Sequence, residues 1–241
     1  MIPKIVHQTW KSKDLPLRWQ KFREPWETFH PDWELRLWTD DDNMLLVEKD
    51  YPDFLNLYKS YEYPVLKADF ARILYLHKYG GIYADLDIEL LRPLDRIVEK
   101  PYLIMGEERG GMGKTINNRD FVINAFMASP KGHRFWEMLI DRLQMTFRRR
   151  KFLESRGNYI MRTVIFELDK MAREYQKTHD DITIYPSDVF YPLSWNQSSS
   201  ESERARLVEA SYTIHHYDTT WFSGSMLLFK RFLRMIQHEK R

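Results

Sequence analysis

The run "YPVLKADFARILYLHKYGGIYADLDIELL", residues 63–91, constrains the fold more than any other stretch. Val65, Leu66, Phe70, Ile73, Leu74 and Leu76 recur at helical spacing, Pro64 suits a first helical turn, and Gly80 and Gly81 stop the helix. "IYADLD" then reads as a strand ending at two acids. Helix, glycine stop and strand in that order predict an alternating α/β architecture. The same run poses a chemical question. Asp85 and Asp87 interrupt an apolar segment, and a desolvated carboxylate is costly unless something compensates it.

The rest of the chain fits one α/β domain over residues 1–241. "PKIVHQTW" reads as a first strand, and residues 16–29 as a helix interrupted or ended near Pro25. "WELRLW" alternates as a half-buried strand, and Thr39 or Asp40 is the N-cap of a following helix. Residues 43–59 hold one or two helices broken at Tyr51–Pro52. "YLIMGEE", "DFVINAFMAS", "ITIYP" and "YTIHHYDTTW" supply further strands. Residues 131–147 and about 158–176 supply helices, and "NQSSSESERAR" is a polar surface loop leading into a helical turn. Residues 224–241 form a basic amphipathic helix.

Composition narrows the function classes. A net charge of +2 over 241 residues gives no electrostatic reason to expect nucleic acid. The chain has no cysteine, which removes disulfides and thiolate metal sites and fits a cytoplasmic setting. "MIPKIVHQTW" lacks the apolar run and cleavage site of a secretory leader, and no window is long and apolar enough to span a bilayer. Two basic stretches, "FRRRKF" at 147–152 and the 224–241 helix, are either solvated surface or contacts for an anionic membrane. The helix is the element through which peripheral association is expected.

At a strand end, residues i and i+2 share a face, so Asp85 and Asp87 can enter one cleft where open α/β sheets bind ligands. Two hard oxygen donors suit Mn2+ or Mg2+. The same triplet is equally at home in a solvated turn. Asp69 and Arg72 lie i, i+3 on the helix and form either an ion pair or a shared binding pair.

"IPKIVHQTW", "KADFARILYLHKYGGIYADLD", "VINAFMASPKGH" and "IHHYDTTW", in that order, resemble glycosyltransferase family 32, with its sugar-binding region containing a DXD motif. The family includes initiating α-1,6-mannosyltransferases and capsular polysaccharide transferases. The chain is similar, more distantly, to the glucosyltransferase domains of clostridial toxins. The resemblance implies a GT-A-type nucleotide-binding sandwich with a mixed central sheet and flanking helices. It implies a metal-dependent retaining transferase that moves a hexose from a UDP- or GDP-sugar to a glycan or glycolipid hydroxyl, as in polysaccharide biosynthesis. The alternative is a non-catalytic sugar-binding module of the same fold.

Residue by residue, Asp87 corresponds to the direct metal ligand, and Asp85 to a ribose, sugar or water-bridged metal contact. Asp69 and Arg72 correspond to the pair that binds donor hydroxyls, with Arg72 near the diphosphate. Asp85, Asp87 and Arg72 are thus the expected catalytic set. Trp10 would stack on the base, with His7, Gln8 and Thr9 lining the strand end and Tyr83 beside the acids. Asn124 would lie near the sugar, and Thr220 and Trp221 near the diphosphate. His216 is the preferred third metal ligand, with His215 the open alternative. Relatives often carry a Thr-Gly-Pro turn near residue 160; here "MRTVIFEL" stands instead, on the side that shapes the acceptor.

Overall fold

A computed structural model describes residues 1–110, 119–194 and 200–218. Six strands form the main sheet: β1 (Ile5–Thr9), β2 (Glu34–Trp38), β3 (Gly81–Ala84), β5 (Leu103–Glu108), β6 (Phe121–Ser129) and β7 (Ile182–Tyr185), in the order β2-β1-β3-β6-β5-β7. β1 runs parallel to β2 and β3, β6 runs antiparallel to β3 and β5, and β7 is parallel to β5. The sheet is therefore mixed, as expected. A second ribbon pairs β4 (Ile88–Leu90) with β8 (Thr213–His215).

The helices are α1 (Leu17–Phe29), α2 (Asp40–Asp50), α3 (Leu55–Ser60), α4 (Pro64–Tyr79), α5 (Asp95–Val98) and α6 (Arg134–Thr146). They continue with α7 (Arg156–Ile160), α8 (Phe166–Gln176), α9 (Ser187–Phe190) and α10 (Glu201–Ala210). In the region where relatives often carry Thr-Gly-Pro and this chain does not, Met161–Ile165 form a π-helical turn joining α7 to α8. Residues 224–241 lie outside the described residues.

Burial explains the layering. All nine residues of β6 are buried, as befits a central strand covered on both faces. One face packs Phe70, Tyr75 and Trp136 under α4 and α6; the other packs Trp26, Phe126, Phe190 and Tyr191. α1 runs unbroken through Pro25, contrary to the expected interruption. A mid-helix proline costs about 3 kcal/mol. Burying the indoles of Trp19 and Trp26, each covering about 150–250 Å2 at ~25 cal/mol per Å2, outweighs it. Thr39, not Asp40, caps α2. Its hydroxyl accepts from Asp42 N (3.1 Å), while the Asp42 carboxylate accepts from Thr39 N (2.9 Å).

The glycine stop is steric as well as conformational. Gly80 and Gly81 have φ of +67° and +94°, and an added Cβ would meet Lys131 N and Ile5 O, each at 2.5 Å. Close approach at this corner lets β3 enter the sheet directly after α4.

β1 is fastened by an aromatic and hydrogen-bonded network on the α4 side. Trp38 Nε1 donates to His7 Nδ1 (3.1 Å), which leaves the proton on Nε2 facing Gly80 O (2.9 Å). Protonating Nδ1 would set two donors against each other. Burial depresses the His7 pKa to about 4, with the Gly80 carbonyl opposing that effect. The unfolded chain therefore binds the proton first. This contribution to stability is complete above about pH 6.5 and declines as pH falls toward 4, by about 3 kcal/mol over the window. Thermal unfolding of His7→Gln, which preserves one acceptor and one donor, is expected to show a shallower loss of Tm across that window than the parent chain.

Candidate active site

The acidic pair lies just beyond β3, in a turn and not at a strand end. Asp85 N donates to Ala125 O (2.8 Å), extending the β3–β6 ladder by one residue, and Ile88 N then closes back on Asp85 O (3.0 Å). The turn, and not strand alternation, gathers both carboxylates. It also starts β4, whose pairing aligns Ile88 with His215.

That register corrects the preference for His216. His215 Nε2 lies 3.4 Å from Asp87 Oδ1, and Asp85, Asp87 and His215 each bring one ligand atom within 4.8 Å of the others. His216 points away: its ring stacks on Phe22 (4.5 Å between centroids) and its Nε2 reaches Glu89 (2.8 Å). Neighbouring residues of a strand face opposite sides, and the Ile88–His215 pairing selects His215 for the acids. Asp87 is held further by Asp218 N, which donates to its Oδ2 (2.7 Å), and by His216 N, which donates to its carbonyl (3.0 Å). The Asp218 carboxylate is in turn ion-paired with Arg18 on α1.

Asp69 and Arg72 form more than a helical surface pair, since both are buried. Arg72 bridges Asp69 (3.1 Å) and Asp85 (3.2 Å), donates to Asn124 O (3.0 Å), and lies 4.4 Å over the Tyr83 ring. Asn124 Nδ2 donates to Asp69 Oδ1 (2.9 Å) and Tyr83 OH to Asp85 Oδ1 (2.6 Å). Tyr83 is almost fully enclosed, so it orients Asp85 where a direct donor contact was expected.

A bulge explains how Asn124 comes to serve this network. The β5–β6 register shifts between Met105 and Gly106, which leaves residues 124–126 of β6 without β5 partners. Arg72 takes the Asn124 carbonyl, and Tyr191 OH serves both the N–H (2.7 Å) and C=O (3.3 Å) of Phe126. A Cβ on Gly106 would lie 2.8–2.9 Å from the Phe190 and Tyr191 rings, so glycine admits that tyrosine. Nothing in the local sequence marks Tyr191 or the Asp218 amide for these roles.

The carboxylates differ in electrostatic setting. Burial raises Asp85 and Asp69 above the usual range, with Arg72 opposing the rise in each. Burial also works against ionised Asp87, but the charge and hydrogen bond of His215 outweigh it and hold Asp87 low. For His215, burial opposes protonation and Asp87 outweighs it, so the imidazole is raised. Three carboxylates thus face one guanidinium and an imidazole whose Nδ1 is buried without a hydrogen-bond partner among the described residues. Oxygen donors, imidazole and excess negative charge together fit Mn2+ or Mg2+.

The remaining expectations divide. Trp10 stands half-buried at the end of β1, its backbone N–H on Trp38 O (2.9 Å) and its ring edge-on to Trp19 (6.1 Å). Gln8 is buried, and neither amide atom is bonded among the described residues. The side chains of His7 and Thr9 are not brought into the site. His7 is engaged as above, its β1 segment is paired on both sides, and Thr9 Oγ1 is shared between Trp38 O and Asn43 Nδ2 (both 3.1 Å). Thr220 and Trp221 lie outside the described residues.

Mixed sheet, flanking helices and an acidic turn after β3 define a GT-A-type α/β sandwich. More particularly, residues 16–104 match the family model "Glycosyltransferase sugar-binding region containing DXD motif", and residues 128–228 match "Alpha 1,4-glycosyltransferase conserved region". The resemblance to DXD transferases stated from the sequence therefore holds. Inositol phosphoceramide mannosyltransferase 3 of Schizosaccharomyces pombe is 37% identical over 59% of this chain and 37% of its own length. Mannosyl phosphorylinositol ceramide synthase CSH1 of Saccharomyces cerevisiae is 38% identical over 60% of this chain and 36% of its own length. The chain thus spans little more than a third of these curated relatives. Among solved structures, the PaToxG glycosyltransferase superposes with a TM-score of 0.53 at 14% identity, over 88% of this chain and 89% of its own, a likeness of fold.

Proposed function

We propose that the chain is a retaining glycosyltransferase that moves a hexose from a UDP- or GDP-sugar to a hydroxyl of a glycan or glycolipid. The observation that carries this reading is the continuous network from buried Asn124, Asp69 and Arg72 to half-buried Asp85, abutting Asp87 and His215 at the end of the sheet. The names of the matched relatives favour mannose as the sugar and a phosphoinositol-linked ceramide as the acceptor class.

Asp87, Asp85 and His215 would hold Mn2+ or Mg2+, which when bound would neutralise charge on the departing diphosphate. The Asn124 hydrogen bond and the Arg72 ion pair both fall on Asp69 Oδ1, so Oδ2 is the oxygen we assign to a sugar hydroxyl. Arg72 opposes the effect of burial on Asp69 and Asp85 and holds both in place, and charge-assisted bonds of this kind discriminate strongly among hydroxyl patterns. Trp10 offers a ring for the base. The acceptor hydroxyl attacks the anomeric carbon on the face the diphosphate leaves, and a phosphate oxygen takes the proton. No residue of the site is assigned as a nucleophile.

The test is thermal unfolding with UDP or GDP, with and without Mn2+, followed by a hydrolysis screen of nucleotide sugars. A nucleotide-induced rise in Tm that requires Mn2+, with turnover of one sugar nucleotide, is the expected result. No shift with either nucleotide at saturating concentration refutes the reading.

A further inference from the structure

The connection between α6 and α7 carries the most exposed large apolar side chain among the described residues, with a second beside it. Phe152 is 96% exposed and its neighbour Leu153 is 91% exposed. Around them stand Arg148, Arg149, Arg150, Lys151 and Arg156 against the single carboxylate of Glu154. Exposed apolar side chains within a cationic run are costly in water, and they match a surface that is apolar below and anionic above.

The segment is a built turn. Glu154 N donates to Lys151 O (3.0 Å), which places Phe152 and Leu153 at the two central positions. Glu154 is clamped by Arg162, Nε to Oε1 at 2.5 Å and Nη2 to Oε2 at 2.9 Å, and accepts from Lys151 N at 3.1 Å. Arg162 also donates to the carbonyls of Arg148 (3.2 Å) and Arg149 (3.1 Å). The one acid of the segment is consumed as a brace. The side chains of Arg149 and Lys151 have no ion pair among the described residues.

The turn also stands on the donor-site end of the molecule. Phe147 packs edge-on against Tyr61 (5.4 Å), and Arg156 lies 4.5 Å over the Tyr63 ring. Tyr61 and Tyr63 immediately precede α4, whose first turns carry Asp69 and Arg72, whereas the far end of α4 reaches Gly80.

We propose that the turn Lys151–Glu154 is a membrane-docking element. It seats Phe152 and Leu153 in the interfacial layer of an anionic bilayer, pairs Arg149 and Lys151 with lipid phosphates, and turns the donor-site end toward the surface. The docking does not depend on the transferase reading, because vesicle binding is measured without substrate; only the naming of the end that faces the surface rests on it.

The experiment is co-sedimentation of the full chain with phosphatidylcholine vesicles, with or without phosphatidylserine. The parent chain is expected to bind the mixed vesicles, and less tightly as salt is raised. Phe152→Ser/Leu153→Ser should lower the partition coefficient about tenfold with Tm unchanged. Arg149→Glu/Lys151→Glu should abolish the preference for phosphatidylserine. Both variants should keep any Mn2+-dependent nucleotide shift of the parent. No binding by the parent chain overturns the proposal. So does full binding by the serine variant, which would move the contact elsewhere, and so does an equal loss on a soluble polyanion such as heparin.

Discussion

Asp87→Asn is expected to reduce sugar transfer at least about a hundredfold and to abolish the Mn2+-dependent nucleotide shift, while Tm moves little. Asparagine retains an oxygen for the Asp218 amide, and the backbone bond from His216 is unaffected. What disappears is the charge. Asp87 is the carboxylate that His215 holds most firmly ionised, whereas burial already works against ionisation of Asp85. His215→Ala should share the loss of metal-dependent binding. His216→Ala should not, because that ring serves Phe22 and Glu89. Transfer at near-parent rates by Asp87→Asn, or selective loss in His216→Ala, would refute the ligand assignment.

Arg72→Met should have the largest effect on stability. The buried guanidinium lies between the buried Asp69 carboxylate and the half-buried Asp85 carboxylate, and its removal leaves both uncompensated. Breaking a buried ion pair from one side costs about 3–5 kcal/mol, which for a chain of this size lowers Tm by about 10 °C. The pH dependence has a definite sign. Burial already raises Asp69, and without Arg72 it rises further. A carboxylate raised in the native state binds its proton before the unfolded chain does, so the deficit should shrink as the solution is acidified toward about pH 5. Tm profiles of both chains between neutral and mildly acidic pH measure this. A deficit independent of pH would mean that lost packing, and not unpaired charge, is the cause.

The two variants report on different things. Asp87→Asn removes a group that the fold can do without, and Arg72→Met removes one on which the fold and the site both depend. Arg72→Lys separates the roles further. Lysine retains the charge but cannot span Asp69, Asp85 and the Asn124 carbonyl at once, so stability should recover more than donor binding does.

Much of this was legible in the chain because it is local. The periodicity of residues 65–76, the proline before it and the two glycines after it specify α4 and its end within one short window. Alternation marks β2, and an apolar run interrupted at Asn124 marks β6. Asp69 and Arg72 share a helical face by spacing alone, and the acids stand where a strand must stop. Pro25 misled for a physical reason: its local cost is outweighed by two indoles whose burial depends on the sheet beneath them.

Local residue patterns set the elements, their α/β order and the small set of charged residues that the candidate site draws on. Only the tertiary structure decided which of them meet. It chose His215 over His216 because β4 and β8, far apart in the chain, pair with Ile88 opposite His215. It drew His7 and Thr9 into the scaffold, because one face of β1 packs against α4. It turned Asn124 toward Asp69 through a bulge that Gly106 and Tyr191 sustain from other segments. Such partnerships depend on register and packing between distant segments, and no local pattern of residues encodes them.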